Sequence, residues 1–209
     1  MKKTSVLFLP VVALIWIISY TTVQAQTTGW QKVDEIEKTI TLPEFPERKF
    51  LITDFKSDTA NALPSIQKAI ERANYEGGGK VIIPEGRWYV KGPIHLKSNV
   101  NLHISKGAEL VFSDDPEDYL PQVLTRWEGT EAFNFSPLIY AYQAHNVAIT
   151  GGGTLNGNAE HGFATWRDKQ DEAQNRLRQM GAEGVPVNER VFGLDDYLRP
   201  SFIQFFSST

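Results

Sequence analysis

Residues 77–112 read GGGKVIIPEGRWYVKGPIHLKSNVNLHISKGAELVF, a run of short hydrophobic segments separated by glycine, proline or Ser-Asn turns. The segments VIIP, WYV, IHL, NVNLHI and AELVF are each only three to six residues long. In NVNLHI, alternation places Val100, Leu102 and Ile104 on one face and the polar residues between them on the other. Strands this short become stable when each turn of chain stacks on its neighbours and buries a continuous inner face. The stretch therefore predicts an all-β solenoid such as a parallel β-helix.

Composition narrows the class of protein. The chain has 209 residues, of which 41% are hydrophobic and 22% charged, too apolar for a disordered chain and sized for one domain. Cysteine is absent from the sequence, which excludes disulfides, thiol catalysis and cysteine-bound zinc. The formal net charge is −4, so we expect no nucleic-acid partner, and any anionic ligand needs a local basic patch.

The first 25 residues have the features of a secretory signal peptide. Two lysines precede the apolar run 6–18, and the tripeptide VQA at 23–25 supplies small residues at the cleavage positions. We predict cleavage after Ala25 and a secreted or periplasmic protein with no membrane contact after cleavage. The alternative is a single membrane anchor, which is disfavoured because the apolar run is shorter than the ~20 residues that span a bilayer.

The mature chain is predicted to have two segments. Residues 26–50 are interpreted as an extended lead-in, and residues 51–209 as the β-helix domain, with Leu51–Phe55 as its first strand. Residues 62–76, ALPSIQKAIERANYE, carry apolar side chains at helical spacing, preceded by Asn61 as a cap and followed by three glycines. We expect this helix to cap the N-terminal end of the solenoid.

The strand design is repeated along the chain. Residues 137–157, PLIYAYQAHNVAITGGGTLNG, repeat the order of strand, turn, Asn-Val and second strand found in residues 93–104. Residues 114–136, rich in aromatic and charged side chains, lack this alternation and predict a loop excursion from the coil. A second excursion begins near Asn156 and is predicted to contain a helix that Asp168 caps and Gly181 ends.

A third copy of the design begins in RPSFIQFFSST, residues 199–209. Here Phe202, Ile203 and Phe205 take the places of Leu138, Ile139 and Ala141, and Thr209 takes the place of His145. The spacing predicts that the solenoid is C-terminally incomplete, with an uncovered apolar strand that favours aggregation.

Several segments together resemble the N-terminal part of the polygalacturonase family, glycoside hydrolase family 28. They are IQKAIERA, GGGKVIIPEG, GPIHLKSNVNLHISKGAELVFS, DPEDYLP, TRWEG, SPLIYAY, NVAITGGGTLNG and LRPSFIQF, and they cover about Leu51 to Thr209. The resemblance implies a right-handed parallel β-helix that hydrolyses galacturonan in pectin-type polysaccharides or oligogalacturonides, with inversion at the anomeric carbon. It implies no metal and no organic cofactor.

The sequence departs from the family pattern at two places. The segment DFKSDTANALP stands where the family usually has a glycine-rich loop, which puts little about function in doubt. More important, the family's catalytic set of N-x-D, D-D, G-H-G and R-x-K lies in later coils than those present. Asp114-Asp115 and Asp195-Asp196 do not follow an N-x-D segment, and His161-Gly162 is not G-H-G. We therefore assign no catalytic residue, expect the catalytic groups beyond Thr209, and predict that this chain alone is inactive.

The excursions are the expected place for substrate contacts, because loops on a rigid solenoid commonly form the binding face. Trp127 and Trp166 could stack on sugar rings, while Arg126, Arg167 and Arg199 could pair with uronate carboxylates. The competing explanation is packing, since large aromatic side chains in long loops often pin the loop to the body, and Arg199 precedes a proline.

We expect the other polar groups to have structural or solvent-exposed roles. The acidic run Asp114–Asp118 predicts a solvated turn, with a calcium site as the alternative. His95 and His103 are expected to face outward in polar stacks, because no third metal ligand can be placed beside them. The run GGGK at 77–80 follows a helix and enters a strand, the reverse of a phosphate-binding loop.

Two other functions stay open from the sequence. One is a pectate lyase on a similar coil, which would need calcium-binding carboxylates and an arginine base. The other is a noncatalytic carbohydrate-binding solenoid, which would not need the catalytic motifs that this sequence lacks.

Overall fold

The computed structural model describes residues 29–209. The predicted signal peptide, its cleavage site and the first residues of the lead-in lie outside this range. The chain divides into two compact units, and the boundary falls between Leu42 and Pro43. Among the described helices, none has the length and apolar character required to cross a membrane.

The described part of the first unit, residues 29–42, is helical. A 3₁₀ turn, Trp30–Lys32, leads into helix α1, Val33–Thr39. Asp34 and Glu35 lie in its first turn and Lys38 in its last, which complements the helix dipole. The prediction of an extended lead-in is therefore wrong for residues 30–39.

The first strand of the second unit begins before the predicted position. Strand β1 is Lys49–Leu51, whereas Ile52–Phe55 form a 3₁₀ turn, so the predicted strand Leu51–Phe55 is wrong. Three residues per turn place Ile52 and Phe55 on the same side, and both pack on the hydrophobic core. Burial of these two side chains explains why an apolar segment bends here instead of extending.

Three parallel sheets make up the body of the second unit. Successive strands are visited in the order first, second, third sheet, with excursions between some of them. The first sheet contains β1, β2 (Gly79–Ile83), β5 (Val100–Ile104) and β10 (Ala148–Gly151); the second contains β3 (Gly86–Val90), β6 (Ala108–Phe112) and β11 (Thr154–Asn156); the third contains β4 (Ile94–Leu96), β9 (Ile139–Tyr142) and β12 (Ile203–Phe206). This repeated visiting order is consistent with a solenoid.

The core lies inside the three sheets and is filled by alternate residues of each strand. Val100, Leu102 and Ile104 are all buried, as the alternation predicts, and Leu102 stacks between Val81 and Ile149 on neighbouring strands. Each aliphatic row therefore continues from one turn of chain to the next.

A polar row marks one corner of the stack. Asn99 and Asn146 both have positive φ, and Asn146 Nδ2 donates a hydrogen bond to Asn99 Oδ1 at 3.2 Å. Gly78 occupies the same corner one turn earlier, where a Cβ would lie 2.6 Å from Asn99 Cβ. The Asn-Val repeat thus marks a corner where the backbone has positive φ. Gly and Asn are favoured at such positions.

The predicted helix of residues 62–76 is confirmed as α2, Leu63–Tyr75. Its buried face, including Ile66 and Ile70, packs against strands of the first and third sheets. Asn61 lies one residue before the N-cap position, and its side chain accepts a hydrogen bond from the Leu63 backbone N–H at 3.2 Å.

The first excursion contains a hairpin that the sequence analysis did not predict. After a 3₁₀ turn, Pro116–Tyr119, strands β7 (Val123–Trp127) and β8 (Thr130–Asn134) pair antiparallel. Glu128 and Gly129 both have positive φ in the two-residue turn, as a tight hairpin requires. This hairpin positions part of the candidate site.

The second excursion contains 3₁₀ turns Phe163–Trp166, Val187–Glu189 and Leu194–Asp196 and one helix, α3, Asp171–Ala182. The helix begins after Gln170, so the predicted Asp168 cap is wrong, and it runs one residue beyond the predicted end at Gly181. Ala173, Leu177 and Met180 share its inner face, as predicted. They form a separate small core with Ala132, Phe192 and Leu198.

The predicted register of the last strand is confirmed. Ile203 pairs with Ile139, and Phe205 pairs with Ala141. Phe202, Ile203 and Phe205 are each about 40% exposed, in contrast to the fully buried Ile139 and Ala141.

Candidate functional site

Three of the five predicted contact residues line one cavity. It has a volume of about 390 Å³ and lies between the tip of the hairpin, the segment 159–164 and the segment 199–201. Arg126, Trp127 and Arg199 are all on its wall. We call this cavity, lined by residues 126–128, Ala159, Phe163, Ala164 and 199–201, the hairpin cleft.

Trp127 ties the two sides of the hairpin cleft together. Its indole Nε1–H donates a hydrogen bond to the Arg199 carbonyl oxygen at 3.0 Å. The ring is half-buried and packs against the small core of the second excursion. Trp127 therefore combines a structural bond with a partly accessible aromatic surface of the kind that stacks on sugars.

Arg199 is held by a buried neighbour. Its Nε donates to Gln170 Oε1 at 2.8 Å, and Gln170 is buried immediately before α3. Within residues 29–209, Nη1 and Nη2 of Arg199 form no hydrogen bond or ion pair, so these donors remain for a ligand carboxylate.

Arg126 has weaker restraints. Its Nη2 donates to Glu131 Oε1 at 3.0 Å, and its guanidinium lies over the Phe206 ring at 5.5 Å from the centroid. Both partners of the ion pair are substantially exposed, so the pair contributes little to stability. A ligand carboxylate can therefore compete with Glu131 for this guanidinium.

The remaining two candidates lie elsewhere. Trp166 is 7% exposed and packs edge-to-face on Phe135, Phe163 and Tyr197, the arrangement that the packing alternative describes. Arg167 is exposed and does not line the hairpin cleft. It begins an R-D-K run, but Lys169 lies over the Tyr197 ring at 5.0 Å and no G-H-G precedes the run.

The hairpin is anchored to the outer face of the third sheet. The Tyr140 hydroxyl donates to the Leu124 carbonyl oxygen, and Gln204 Nε2 donates to the Arg126 carbonyl oxygen at 2.9 Å. Burial raises the pKa of Tyr140 to about 12, so the hydroxyl keeps its proton in the physiological range. The hairpin residues of the cleft are thus fixed to the strands of the third sheet.

The charge of the hairpin cleft is locally positive. It contains the guanidinium groups of Arg126 and Arg199 and one carboxylate, Glu128, which is paired with Arg178 at 2.6 Å. In a chain with net charge −4, this is a basic patch of the kind that an anionic ligand needs.

The two aspartate pairs lie in turns. Asp115 Oδ1 accepts the Glu117 backbone N–H at 3.0 Å, while Asp196 pairs with Arg176 and accepts the Gly193 backbone N–H. Neither pair lines the hairpin cleft. Within residues 29–209, no three His, Asp or Glu side chains group closely enough to hold a metal ion.

His95 and His103 make outward polar contacts. His103 Nδ1 lies 3.0 Å from Thr150 Oγ1, and His95 Nε2 lies 3.1 Å from Ser136 Oγ. Burial lowers the pKa of both, with added repulsion from Lys97 at His95 and Lys80 at His103. Burial and the nearby lysines therefore favour the neutral form of both rings.

Known proteins support the family resemblance. No family model matches the chain. An exopolygalacturonase B described as probable, from Emericella nidulans, is 29% identical over 126 residues, which are 58% of this chain and 26% of that protein. The endo-polygalacturonase of Pectobacterium carotovorum subsp. carotovorum is 26% identical over 163 residues, which are 73% of this chain and 39% of that protein.

A solved structure gives the stronger likeness. The hyperthermoactive exopolygalacturonase from Thermotoga maritima superposes with a TM-score of 0.79 and 42% sequence identity, covering 84% of this chain and 42% of that one. The chain thus spans about a quarter to two fifths of the length of these relatives. It is a relative of these polygalacturonases, and its partial coverage of them fits an N-terminal portion.

Proposed function

We propose that residues 51–209 form the N-terminal part of a right-handed parallel β-helix enzyme that hydrolyses galacturonan with inversion. The observation that carries this proposal is the hairpin cleft, where Arg126, Trp127 and Arg199 meet in a chain related to polygalacturonases. The cleft offers a guanidinium fork for a uronate carboxylate and an aromatic ring for a sugar face.

The hairpin cleft is the proposed contact for a pectin-type oligogalacturonide. Trigalacturonate binding to the full 209-residue chain, measured by calorimetry, tests this. We expect Arg199→Gln to weaken binding about tenfold, because a charge-assisted pair is lost. Arg72→Gln is the control, since Arg72 is a surface residue of α2 paired with Glu76. Equal affinities of both variants for trigalacturonate would contradict the assignment.

The 209-residue chain alone is proposed to be inactive. Inverting hydrolysis needs an acid and a base on opposite sides of the bond, about 6.5–9.5 Å apart. Among residues 29–209, the wall of the hairpin cleft carries a single carboxylate, Glu128, so it does not supply both an acid and a base. Reducing-sugar release from polygalacturonate by the purified chain, above a heat-killed control, would overturn this.

Secretion is proposed from residues 1–25. The measurement is the N-terminal sequence of the exported protein, which we expect to begin at Gln26. An exported protein that retains Met1–Ala25 would contradict cleavage.

A noncatalytic carbohydrate-binding role is the second candidate. It is favoured by the wall of the hairpin cleft, which among residues 29–209 carries two guanidinium groups but a single carboxylate, Glu128. Hydrolysis by a longer chain that continues past Thr209 with N-x-D and D-D segments would reject it. Binding without hydrolysis by such a chain would favour it.

A further inference from the structure

A second cavity lies beside the hairpin cleft and shares Arg126 with it. Its volume is about 500 Å³, and its wall contains residues 129–131 of the hairpin and residues 181–182 of α3. Arg178 and Arg190 complete the set of three guanidinium groups on this wall. We call this cavity the helix cleft.

The helix and the hairpin meet closely at the wall of the helix cleft. A Cβ added to Gly181 would lie 2.9 Å from Thr130 Cγ2, so a larger residue there would force the Thr130 side chain to move. Leu177, one turn earlier on α3, is fully buried in the small core beside Ala132 of β8. The cleft is therefore built on two elements that are packed together.

Arg190 is the most distinctive group of the helix cleft. Its Nε donates to the Val185 carbonyl oxygen at 2.8 Å, and its Nη1 donates to the Glu131 carbonyl oxygen at 3.2 Å. Among residues 29–209 it forms no ion pair with a carboxylate, so its charge is oriented by neutral partners but not neutralised. A guanidinium held in this way is preorganised for an anion.

The other two arginines form ion pairs with glutamates that a ligand can displace. Arg178 pairs with Glu128 and Arg126 pairs with Glu131, and all four side chains are well exposed. Exposed pairs of this kind are worth ~0–1 kcal/mol, so a ligand carboxylate can replace either partner. The helix cleft thus offers one unneutralised guanidinium and two that a ligand can recruit.

We propose that the helix cleft binds a second carboxylate-bearing sugar of the oligouronide whose neighbouring unit occupies the hairpin cleft. This rests on the function proposed for the hairpin cleft. Arg126, on the wall of both cavities, lies where the two sites join. A polymer with one carboxylate per sugar matches cationic groups distributed over two adjoining cavities, whereas a neutral sugar chain does not.

The test compares ligand lengths on the full 209-residue chain. Calorimetry with monogalacturonate, trigalacturonate and a neutral galactan trisaccharide is run on the original sequence and on Arg190→Gln, Arg178→Gln, Arg199→Gln and Arg72→Gln. Arg72 and Arg178 are matched in exposure, at 58% and 55%, and in having one glutamate partner. Thermal unfolding identifies any variant whose fold is lost.

We expect trigalacturonate to bind more tightly than monogalacturonate, and Arg190→Gln to remove that difference, a loss of about tenfold. Arg178→Gln should give a smaller loss and Arg72→Gln none. Glu131→Gln should tighten trigalacturonate binding, because it removes the carboxylate that competes for Arg126.

The outcomes separate this proposal from the function on which it rests. If Arg199→Gln weakens both ligands while Arg190→Gln and Arg178→Gln weaken neither, the helix cleft is overturned and the hairpin cleft stands. If Arg190→Gln weakens trigalacturonate and Arg199→Gln changes nothing, the hairpin cleft fails and the helix cleft is supported. Equal binding of the neutral trisaccharide overturns the helix cleft as an anion site.

Discussion

The three-sheet stack and the excursion module differ in how their stability and chemistry are arranged. The stack has a long aliphatic core that continues from strand to strand, with Leu102 between Val81 and Ile149. The excursion module, which comprises the hairpin β7–β8 and residues 157–201, has a small core around Leu177. Yet the arginines of both clefts belong to the module. Residues that hold the fold and residues proposed to contact a ligand are therefore largely separate.

The largest expected effect is from a cavity in the stack. Leu102→Ala removes a fully buried side chain whose neighbours are held in register, so the site cannot collapse to fill the space. We expect the free energy of unfolding to fall by about 3 kcal/mol. Denaturant titration measures it, and trigalacturonate affinity per folded molecule should be unchanged. A loss below ~1 kcal/mol would show that the stack is not the main source of stability.

Leu177→Ala makes the matched change in the excursion module. Leu177 is also fully buried, but its core contains only a few side chains. We expect a loss of about 2 kcal/mol that is confined to the module, together with weaker trigalacturonate binding. Hydrogen exchange should accelerate in residues 123–134 and 171–182 while β2 and β5 stay protected. Uniform acceleration across both regions would mean that the two unfold as one unit.

The difference between the three-sheet stack and the excursion module explains which features the sequence predicts well. Stack strands repeat one design, so aligning residues 202–209 with residues 138–145 predicts the register of Phe205 opposite Ala141. Repeated burial leaves a pattern in the sequence, and the alternation of Val100, Leu102 and Ile104 is that pattern. The predicted position of β1 was wrong because four residues are too few to distinguish an apolar 3₁₀ turn from a strand by sequence pattern.

The excursion module was predicted less well, because its contacts join distant residues. Arg178 and Arg190 reach the helix cleft only through the packing of α3 on the hairpin, which no local pattern encodes. The hairpin itself has a local signal, the Glu128-Gly129 turn between β-prone segments, but alternation of apolar residues does not reveal it. Trp166 and Trp127 are alike in sequence context, and only tertiary structure separates the buried ring from the cleft-lining one.

Two tryptophan substitutions test the same separation of roles through the loss of single hydrogen bonds. In Trp127→Phe the indole bond to the Arg199 carbonyl is lost, and in Trp88→Phe the bond from Nε1 to the Pro84 carbonyl at 2.9 Å is lost. Each change should cost about 1 kcal/mol of stability. Only Trp127→Phe should weaken trigalacturonate binding, by a few fold, because it frees the segment that carries Arg199. Equal binding losses in calorimetry would contradict the separation of roles.

The smallest expected effect is a pH dependence of the free energy of unfolding, which arises where the three-sheet stack adjoins the excursion module. His95 lies on the outer face of the third sheet, edge-on to Tyr140, whose hydroxyl bonds the hairpin. Burial, and then Lys97, lowers the pKa of His95 below its ordinary value of 6.5. The unfolded chain therefore takes up a proton at higher pH than the folded chain does, and stability falls as pH drops through 6.5. His95→Gln keeps a polar group but removes the titration, so its free energy of unfolding should fall less between pH 7 and pH 5. Identical pH profiles from denaturant titrations would show that His95 is not protonated on unfolding.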